Sequence, residues 1–328
     1  MESGRLFELR RRTFDTPHFR GIEFIEVEAK TIINHVPGSY LPFNYTINPY
    51  RGCSHACKFC FARSTHMYMD MNAGRDFETK IVVKVNAAQL LPKELRAKKW
   101  KGDHIAMGTA TDPYQRAEGR YKLMPSIIKT LTEFRNPFSI LTKGTLILRD
   151  LDLLQDAAAI APVSTAFSVA TLDDEVWRRS EPGTPHPRKR IEAVAKLNAA
   201  GIPCGVMVAP VLPGISDDPK QLREVVAAAL DAGATHVSPI LLHLRPGVKE
   251  VYLDWLADSY PDLLPRYLEM YPKAYASSAD RAALTKTMTR ITAELEMELG
   301  KDRRPPRRRM RRKPPPVARP DSEQLSLL

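Results

Sequence analysis

Apolar runs of strand length alternate with longer segments of helical periodicity from residue 104 to about residue 245. Five runs are continuous enough to be strands covered on both faces, and another strand is expected at residues 45–48, just before three closely spaced cysteines. Repeated strand–helix units build parallel sheets, so the pattern predicts an α/β fold with six parallel strands. The five runs cover residues 104–109, 138–142, 163–170, 204–211 and 235–242, and residues 81–85 form an additional strand.

Composition divides the chain into four parts. Residues 1–40 are an N-terminal extension, residues 41–245 hold the strand–helix units, and residues 246–300 have helical periodicity that stops near Gly300. Residues 301–328 contain six prolines and account for +7 of the net charge of +11. A segment with so much like charge and so few apolar residues cannot bury a core, so we predict a disordered basic tail.

The sequence also limits the class of protein. No run reaches the roughly 18 apolar residues of a membrane span, and residues 1–15 are basic without the apolar core of a secretion signal. We therefore expect a cytoplasmic protein with no membrane partner. Three of the four cysteines fall within eight residues, too close together to join distant elements, so metal or cluster ligation explains them better than disulfides do.

Cys53, Cys57 and Cys60 form a C-x3-C-x2-C pattern, which lets three thiolates hold one iron–sulfur cluster while the loop wraps around it. A fourth protein ligand is missing from this spacing. One iron would then stay open to a small chelator, which implies chemistry beyond electron transfer. The alternative is zinc, although the paired C-x2-C knuckles typical of zinc are absent. Its fourth ligand would be His55, His66 or Cys204.

This spacing, with the aromatic Phe59 before the last cysteine, resembles the signature of the radical S-adenosylmethionine (SAM) superfamily. The motifs NPYRGC, GTATDPYQ, LTKG and EPGTP are similar to the branch that contains spore photoproduct lyase and its uncharacterised actinobacterial relatives. The resemblance implies an incomplete (β/α)6 barrel with a 4Fe-4S cluster on the three cysteines. It also implies reductive cleavage of SAM to a 5′-deoxyadenosyl radical that abstracts hydrogen from a substrate, with flavodoxin or ferredoxin as electron donor.

The resemblance further implies which residues contact SAM. The end of the second barrel strand, residues 108–111, approaches the amino group of SAM, and small residues there allow close contact. Lys143 and Ser168 match positions that contact SAM in relatives, and Ala209 matches a stretch along the adenine and ribose. The implied SAM contacts are Phe59, Gly108, Thr109, Ala110, Thr111, Lys143, Ser168 and Ala209.

A polar cluster follows the second barrel strand and should face the same mouth as the cysteine loop. Its members are Asp112, Tyr114, Gln115 and Glu118, and we predict that Tyr114 and Glu118 act on the substrate. Hydrogen bonding within the loop is the alternative role. Photoproduct lyases carry a hydrogen-donating cysteine in this stretch, whereas residues 109–112 contain none here. The resemblance therefore extends to fold and cofactors and not to repair of thymine dimers.

The tail predicts a polyanionic partner. Its ten cations would attract DNA or RNA by counterion release, although a solubilising role is equally compatible. The last five residues, Gln324, Leu325, Ser326, Leu327 and Leu328, resemble the short peptide by which bacterial proteins dock on the replicative sliding clamp. The substrate class stays open between a nucleic acid, a small molecule and a protein. A non-enzymatic, metal-containing nucleic-acid-binding module is a third hypothesis.

Overall fold

Two sheets organise the computed structural model, which describes residues 10–36 and 41–300. The strands in chain order are β1 (Arg10–Thr13), β2 (Glu23–Val27), β3 (Ile33–His35), β4 (Tyr45–Ile47), β5 (Tyr50–Arg51), β6 (Lys80–Lys84), β7 (Ile105–Met107), β8 (Phe138–Thr142), β9 (Val163–Ser168), β10 (Cys204–Val211) and β11 (Val237–Leu241). The central sheet has the order β11-β10-β9-β8-β7-β4-β3. The smaller sheet has the order β1-β2-β6-β5.

Six strands of the central sheet, β4 and β7 to β11, run parallel and adjoin one another in chain order. The seventh strand, β3, pairs antiparallel with β4 at one edge, and β11 is the opposite edge. This strand order confirms the predicted α/β fold and incomplete barrel. The predicted extra strand at residues 81–85 is also present, as β6 in the smaller sheet.

Helices follow the strands and cover the sheet. In chain order they are α1 (Ser64–Met67), α2 (Arg75–Thr79), α3 (Ala87–Arg96), α4 (Arg116–Tyr121), α5 (Leu123–Glu133), α6 (Leu151–Ile160), α7 (Asp174–Ser180), α8 (Pro187–Ala199), α9 (Pro219–Asp231), α10 (Lys249–Ser259), α11 (Leu264–Met270) and α12 (Ser278–Glu298). Short 3-10 turns occupy Phe61–Arg63, Thr145–Asp150 and Pro261–Leu263.

The helix α9 illustrates how the sequence specifies these elements. Asp218 caps its start by accepting a hydrogen bond from Lys220 N at 2.8 Å, and Pro219 occupies the first helical position, where no amide donor is needed. Its buried stripe, spaced by three and four residues, faces the sheet. The stripe consists of Leu222, Val225, Val226, Ala229 and Leu230.

The N-terminal extension is part of both sheets within its described residues. β1 and β2 pair with each other, β2 runs parallel to β6, and β3 extends the central sheet. Phe24 and Ile25 of β2 are buried, so this region contributes to the core. The predicted tail, including the clamp-like peptide, lies outside the described residues.

The segment 246–300 is helical, as predicted, and it has two separate roles. α12 packs against α9 and β11 through Met288, Ile291 and Leu295, and Gly300 (φ 59°) follows its end. α10 and α11 instead share an apolar cluster with Cys57 and Phe59, close to the cysteine loop. In the part of the chain that the structure describes, no helix is both long and apolar enough to cross a membrane.

Candidate active site

An open cavity lies at the carboxyl ends of the parallel strands, where this class of fold gathers its chemistry. The space inside it, counted together with its open mouth, is about 880 Å³. The residues predicted from the sequence that line it are Cys53, Cys57, Phe59, Cys60, Gly108, Thr109, Ala110, Thr111, Lys143, Ser168 and Ala209. The structure thus brings together the three expected cluster ligands and the eight expected SAM contacts.

The cysteine loop is wound in two tight turns after β5. Ala56 N lies 3.2 Å from the Cys53 carbonyl oxygen, and Cys60 N lies 3.3 Å from the Cys57 carbonyl oxygen. Ala56 has the left-handed conformation (φ 53°), which is uncommon for a residue with a Cβ atom. All three thiols are free and border the cavity. The loop therefore presents three soft sulfur ligands around one space.

Arg63 holds this loop from behind. Its side chain is fully buried, and Nε and Nη2 both donate to the Cys57 carbonyl oxygen, at 3.1 and 2.8 Å. Nη1 donates to the carbonyl oxygens of Ala73 and Gly74 at 3.0 and 2.9 Å, and Glu78 forms an ion pair with the guanidinium. The backbone at Cys57 is thereby tied to the segment before α2.

The EPGTP turn after α7 packs directly against the other side of the cysteine loop. Gly183 N donates to the His55 carbonyl oxygen at 3.0 Å, and Lys58 N donates to the Ser180 carbonyl oxygen at 2.9 Å. A Cβ atom on Gly183 would lie 2.1 Å from the Ser54 carbonyl oxygen. Only glycine allows the two backbones to approach this closely.

Gln115 and Asp112 connect β7 to the cysteine loop. The Gln115 side chain accepts from Ser54 N at 3.0 Å and donates to the Gly52 carbonyl oxygen at 2.9 Å. Asp112 accepts from Thr142 Oγ1 at 2.6 Å, and its other oxygen lies 3.3 Å from His55 Nδ1. Burial raises the pKa of Asp112, but His55 and hydrogen bonds from Thr142 and the next amide outweigh it and hold the pKa below its usual value.

A buried ion network reaches the cavity through Lys143, which is part of the lining. Lys143 Nζ lies 2.8 Å from Glu181 Oε1, and Arg190 Nη1 lies 2.8 Å from Glu181 Oε2. Burial raises the pKa of Glu181, but Arg190 and Lys143 outweigh it and lower the pKa below its usual value. Lys143 Nζ also lies 5.6 Å from the centre of the Phe59 ring. Two cations against one carboxylate leave a net positive charge beside the cavity, which suits an anionic ligand group.

The close approach of neighbouring strands in the central sheet requires a glycine at position 108. Gly108 has φ 90°, and a Cβ atom there would lie 1.9 Å from the Leu141 carbonyl oxygen on the neighbouring strand β8. The glycine therefore lets the chain turn sharply after β7, which carries residues 109–111 into the cavity lining.

Tyr114 and Glu118 do not face the mouth, and that expectation is wrong. The Tyr114 hydroxyl donates to Asp150 Oδ2 at 3.0 Å, whereas Glu118 accepts from Tyr50 OH at 2.5 Å and pairs with Arg149 Nη2 at 2.6 Å. Glu118 also caps the start of α5 by accepting from two amides there. Because Tyr114, in the turn before α4, and Glu118, on α4, are both buried in the core, they have the structural role that was the alternative.

Of the three zinc candidates, His55 lines the same cavity as the thiols, with its Nδ1 3.3 Å from Asp112 Oδ2, whereas His66 and Cys204 lie outside that lining. Burial raises the pKa of Cys53, Cys57 and Cys60, so binding of iron would release protons from them. His66 Nε2 lies 2.9 Å from the Lys80 carbonyl oxygen, and Cys204 is buried at the start of β10, away from the mouth. Among residues 10–36 and 41–300, no three His, Cys, Asp or Glu side chains are placed to hold a single metal ion.

Comparison with known families identifies the site. The model of the radical SAM superfamily matches residues 47–226, more than half of the chain. The chain belongs to the radical SAM superfamily. This radical SAM protein is therefore an enzyme, and its family implies SAM and an iron–sulfur cluster as cofactors. Membership also removes the hypothesis of a non-enzymatic binding module.

Relatives share the sequence over most of its length, and a solved structure shares its fold. An uncharacterised protein of Mycobacterium tuberculosis (strain ATCC 25618 / H37Rv) is 47% identical over 296 residues, covering 90% of this chain and 86% of the relative. An uncharacterised protein of Methanocaldococcus jannaschii is 30% identical over 268 residues, covering 81% of this chain and 90% of the relative. The solved structure of spore photoproduct lyase complexed with dinucleoside spore photoproduct has a TM-score of 0.61 at 19% identity. The match covers 83% of this chain and 79% of the lyase chain. At this level of identity, the similarity to spore photoproduct lyase shows a shared fold and nothing more.

The residues present fit both implied cofactors. Three free thiols border the cavity, and the chain supplies no fourth cysteine there, since Cys204 lies elsewhere among the described residues. The Lys143 ammonium lines the same cavity and would complement the SAM carboxylate. The sequence did not indicate the roles of Arg63 and Glu181, although Glu181 lies in a motif that carried the family resemblance.

Proposed function

We propose that this enzyme holds a 4Fe-4S cluster on Cys53, Cys57 and Cys60 and binds SAM beside it in the cavity. The observation that supports this most directly is the presence of three free thiols and a lysine on one cavity wall. When bound, the reduced cluster and SAM supply a 5′-deoxyadenosyl radical for hydrogen abstraction, with a flavodoxin or ferredoxin as the electron donor. The polypeptide contributes binding, orientation and exclusion of water.

Individual residues have distinct tasks in this proposal. Lys143 pairs with the SAM carboxylate, and Glu181 orients Lys143 while balancing Arg190. Residues 109–111 approach the SAM amino group. Ser168 and Ala209 border the space for the nucleoside, and Phe59 packs beside Lys143. α10 and α11 contribute to exclusion of water because their apolar cluster reaches Cys57.

The test is SAM cleavage by anaerobically reconstituted protein. With dithionite as reductant, we expect formation of 5′-deoxyadenosine and methionine, measured by chromatography. Cys57→Ala removes a proposed cluster ligand and should abolish both the iron content and the cleavage. Cys204→Ala is the matched control and should retain both, because this cysteine is buried away from the cavity. Cleavage that survives Cys57→Ala would contradict the proposal.

We also propose a nucleic acid as the substrate and the basic tail as the segment that recruits it. The tail has ten cations, and polyanion binding through counterion release depends steeply on salt. The solved relative in fold is described as bound to a dinucleoside spore photoproduct, which makes a nucleotide substrate chemically compatible with a cavity of this architecture. The competing proposal is a small-molecule or protein substrate with a solubilising tail.

Residues 324–328 carry a separate proposal, a docking peptide for the replicative sliding clamp. Three leucines in an otherwise polar terminus suit an apolar groove. A synthetic peptide of residues 318–328 should bind purified clamp in a calorimetric titration, and a peptide with Leu325→Ala and Leu327→Ala should not. Equal behaviour of the two peptides would contradict clamp docking.

A further inference from the structure

A row of three rings leads from the cavity to the surface. Phe61, which follows the last cysteine of the loop, lies 5.7 Å from His243 between ring centres, and His243 stacks on Tyr275 at 5.4 Å with an interplanar angle of 22°. Phe61 and His243 line the cavity, whereas Tyr275 lies beyond it. Phe61 is 41% exposed and Tyr275 is 47% exposed. The row therefore presents open aromatic surface at the rim.

Backbone contacts fix this row in place. His243 and Tyr275 form an antiparallel bridge, and Leu244 N donates to the Ala274 carbonyl oxygen at 2.7 Å. The segment before α12 is therefore held against the residues that follow β11. Burial and the nearby Arg245 lower the pKa of His243, so its ring is uncharged at neutral pH.

Arg245 adds a positive charge at the outer end of the row. Its Nη2 donates to the Tyr275 hydroxyl at 2.8 Å, and its guanidinium lies 5.9 Å from the centre of the Tyr275 ring. The residue is exposed, and none of the ion pairs found within the described residues involves it. An exposed arginine bonded to a phenol keeps donors available for an anion.

We propose that this rim is a stacking platform for a base of a single-stranded or extruded nucleotide, with Arg245 on the adjacent phosphate. The inference rests on the proposed function, because the cavity behind the rim is where hydrogen abstraction takes place. A row of aromatic rings with a cation at its end matches the flat, apolar face and the anionic backbone of a nucleotide. An aliphatic peptide or a lipid would match only the apolar part.

The test compares two probes of equal charge by fluorescence anisotropy. One is a short fluorescein-labelled oligothymidylate, and the other is a strand of the same length with abasic residues. Because base stacking strengthens binding by about tenfold per base, the full chain should prefer the oligothymidylate by about that factor. Tyr275→Leu should abolish the preference, and Tyr275→Trp should retain it. Arg245→Gln should weaken binding of both strands equally.

The matched control is a second arginine–aromatic pair, formed by Arg96 at the end of α3 and Phe134 just after α5. The Arg96 guanidinium lies 5.4 Å from the centre of the Phe134 ring, and the pair lies at the opposite end of the strands from the cavity. Phe134→Leu should keep the preference. Equal binding of the two strands by the unmodified chain, or a preference that survives Tyr275→Leu, would overturn the proposal. Absence of SAM cleavage in the unmodified chain would instead contradict only the proposed function.

Discussion

Charged side chains with no exposure determine the geometry of the cysteine loop. Arg63 and Arg190 are both fully buried, and each donates several hydrogen bonds to carbonyl oxygens or to a carboxylate near the cavity. Such groups cost free energy to bury unless every donor is paired. The hydrogen bonds that the two arginines donate to backbone carbonyl oxygens offset this cost. No helix or strand would otherwise pair these oxygens of the loops.

Replacing Arg63 by glutamine should therefore lower both stability and iron content. The change leaves the carbonyl oxygens of Cys57 and Ala73 without donors and Glu78 without its partner. We expect a loss of about 3–5 kcal/mol in the free energy of unfolding, measured with urea. Arg178→Gln is the control, because its pair with Asp174 is exposed and should contribute little to stability. A stable Arg63→Gln protein with full iron content would contradict this role.

Lys84 on β6 gives a prediction about pH. It is buried, and burial, with help from Arg51, lowers its pKa to about 8. The unfolded chain binds this proton up to about pH 10.4, so the free energy of unfolding should rise by up to about 3 kcal/mol between pH 8 and pH 10.4. Lys84→Met should raise stability at pH 7 and remove that rise.

Urea midpoints of both proteins between pH 7 and pH 10 check the expectation for Lys84. Lys80→Met is the control on the same strand, because Lys80 is partly exposed and pairs with Asp76. It should change stability by about 0.5 kcal/mol or less and keep the rise. An unchanged pH dependence in Lys84→Met would contradict the assignment.

Sequence reasoning was most successful where a residue type allows few alternatives. The cysteine spacing and the small residues 108–111 predicted the cavity lining. The sequence analysis misplaced Tyr114 and Glu118, because their position after β7 does not reveal which way the turn before α4 and α4 itself point these side chains. Arg63 and Glu181 were missed because charged residues are mostly exposed, and the sequence alone does not show the buried partners that make exceptions possible.

At the level of elements, the turn after α7 and the cysteine loop behave as one unit. Gly183 allows their backbones to touch, with a hydrogen bond of 3.0 Å to the His55 carbonyl oxygen. The predicted strand lengths were less accurate than the strand order. β7 and β11 are shorter than their apolar runs, because the last residues of those runs leave the sheet to line the cavity.

Gly183→Ala should separate the two parts of this unit. The added methyl group would lie 2.1 Å from the Ser54 carbonyl oxygen, so one backbone must move. We expect a destabilisation of about 1–3 kcal/mol and a lower iron content after reconstitution. Gly119→Ala on α4 is the control, since its methyl group would meet nothing closer than 3.9 Å and should be neutral or slightly stabilising. Equal iron content in both variants would contradict the idea that the turn after α7 and the cysteine loop behave as one unit.

At the scale of the whole molecule, we expect the described fold and the basic tail to have separable roles. Residues 41–300 contain the whole cavity lining, and α12 completes the packing at the edge strand β11. The tail adds +7 of charge to the chain. The sequence distinguishes the two by composition alone, but it does not show that α10 and α11 reach the cysteine loop, because that contact depends on tertiary packing.

Truncation after Gly300 should leave SAM cleavage unchanged and weaken oligonucleotide binding. The slope of log affinity against log salt should also fall, because fewer phosphate contacts release fewer counterions. A chain that keeps residues 301–313 and lacks only the residues after them retains most of the tail's Lys and Arg. It should therefore recover most of the salt dependence of binding. Unchanged affinity and slope after truncation would favour the small-molecule or protein substrate.

The central claim is that the polypeptide leaves one iron of the cluster open for SAM. Electron paramagnetic resonance of the reduced, reconstituted enzyme tests it directly, because a ligand on that iron changes the spectrum of the cluster. We predict a clear spectral shift on addition of SAM and loss of the cluster signal in Cys57→Ala. A spectrum that SAM does not alter, or protein that holds only a single four-coordinate divalent ion, would contradict the claim.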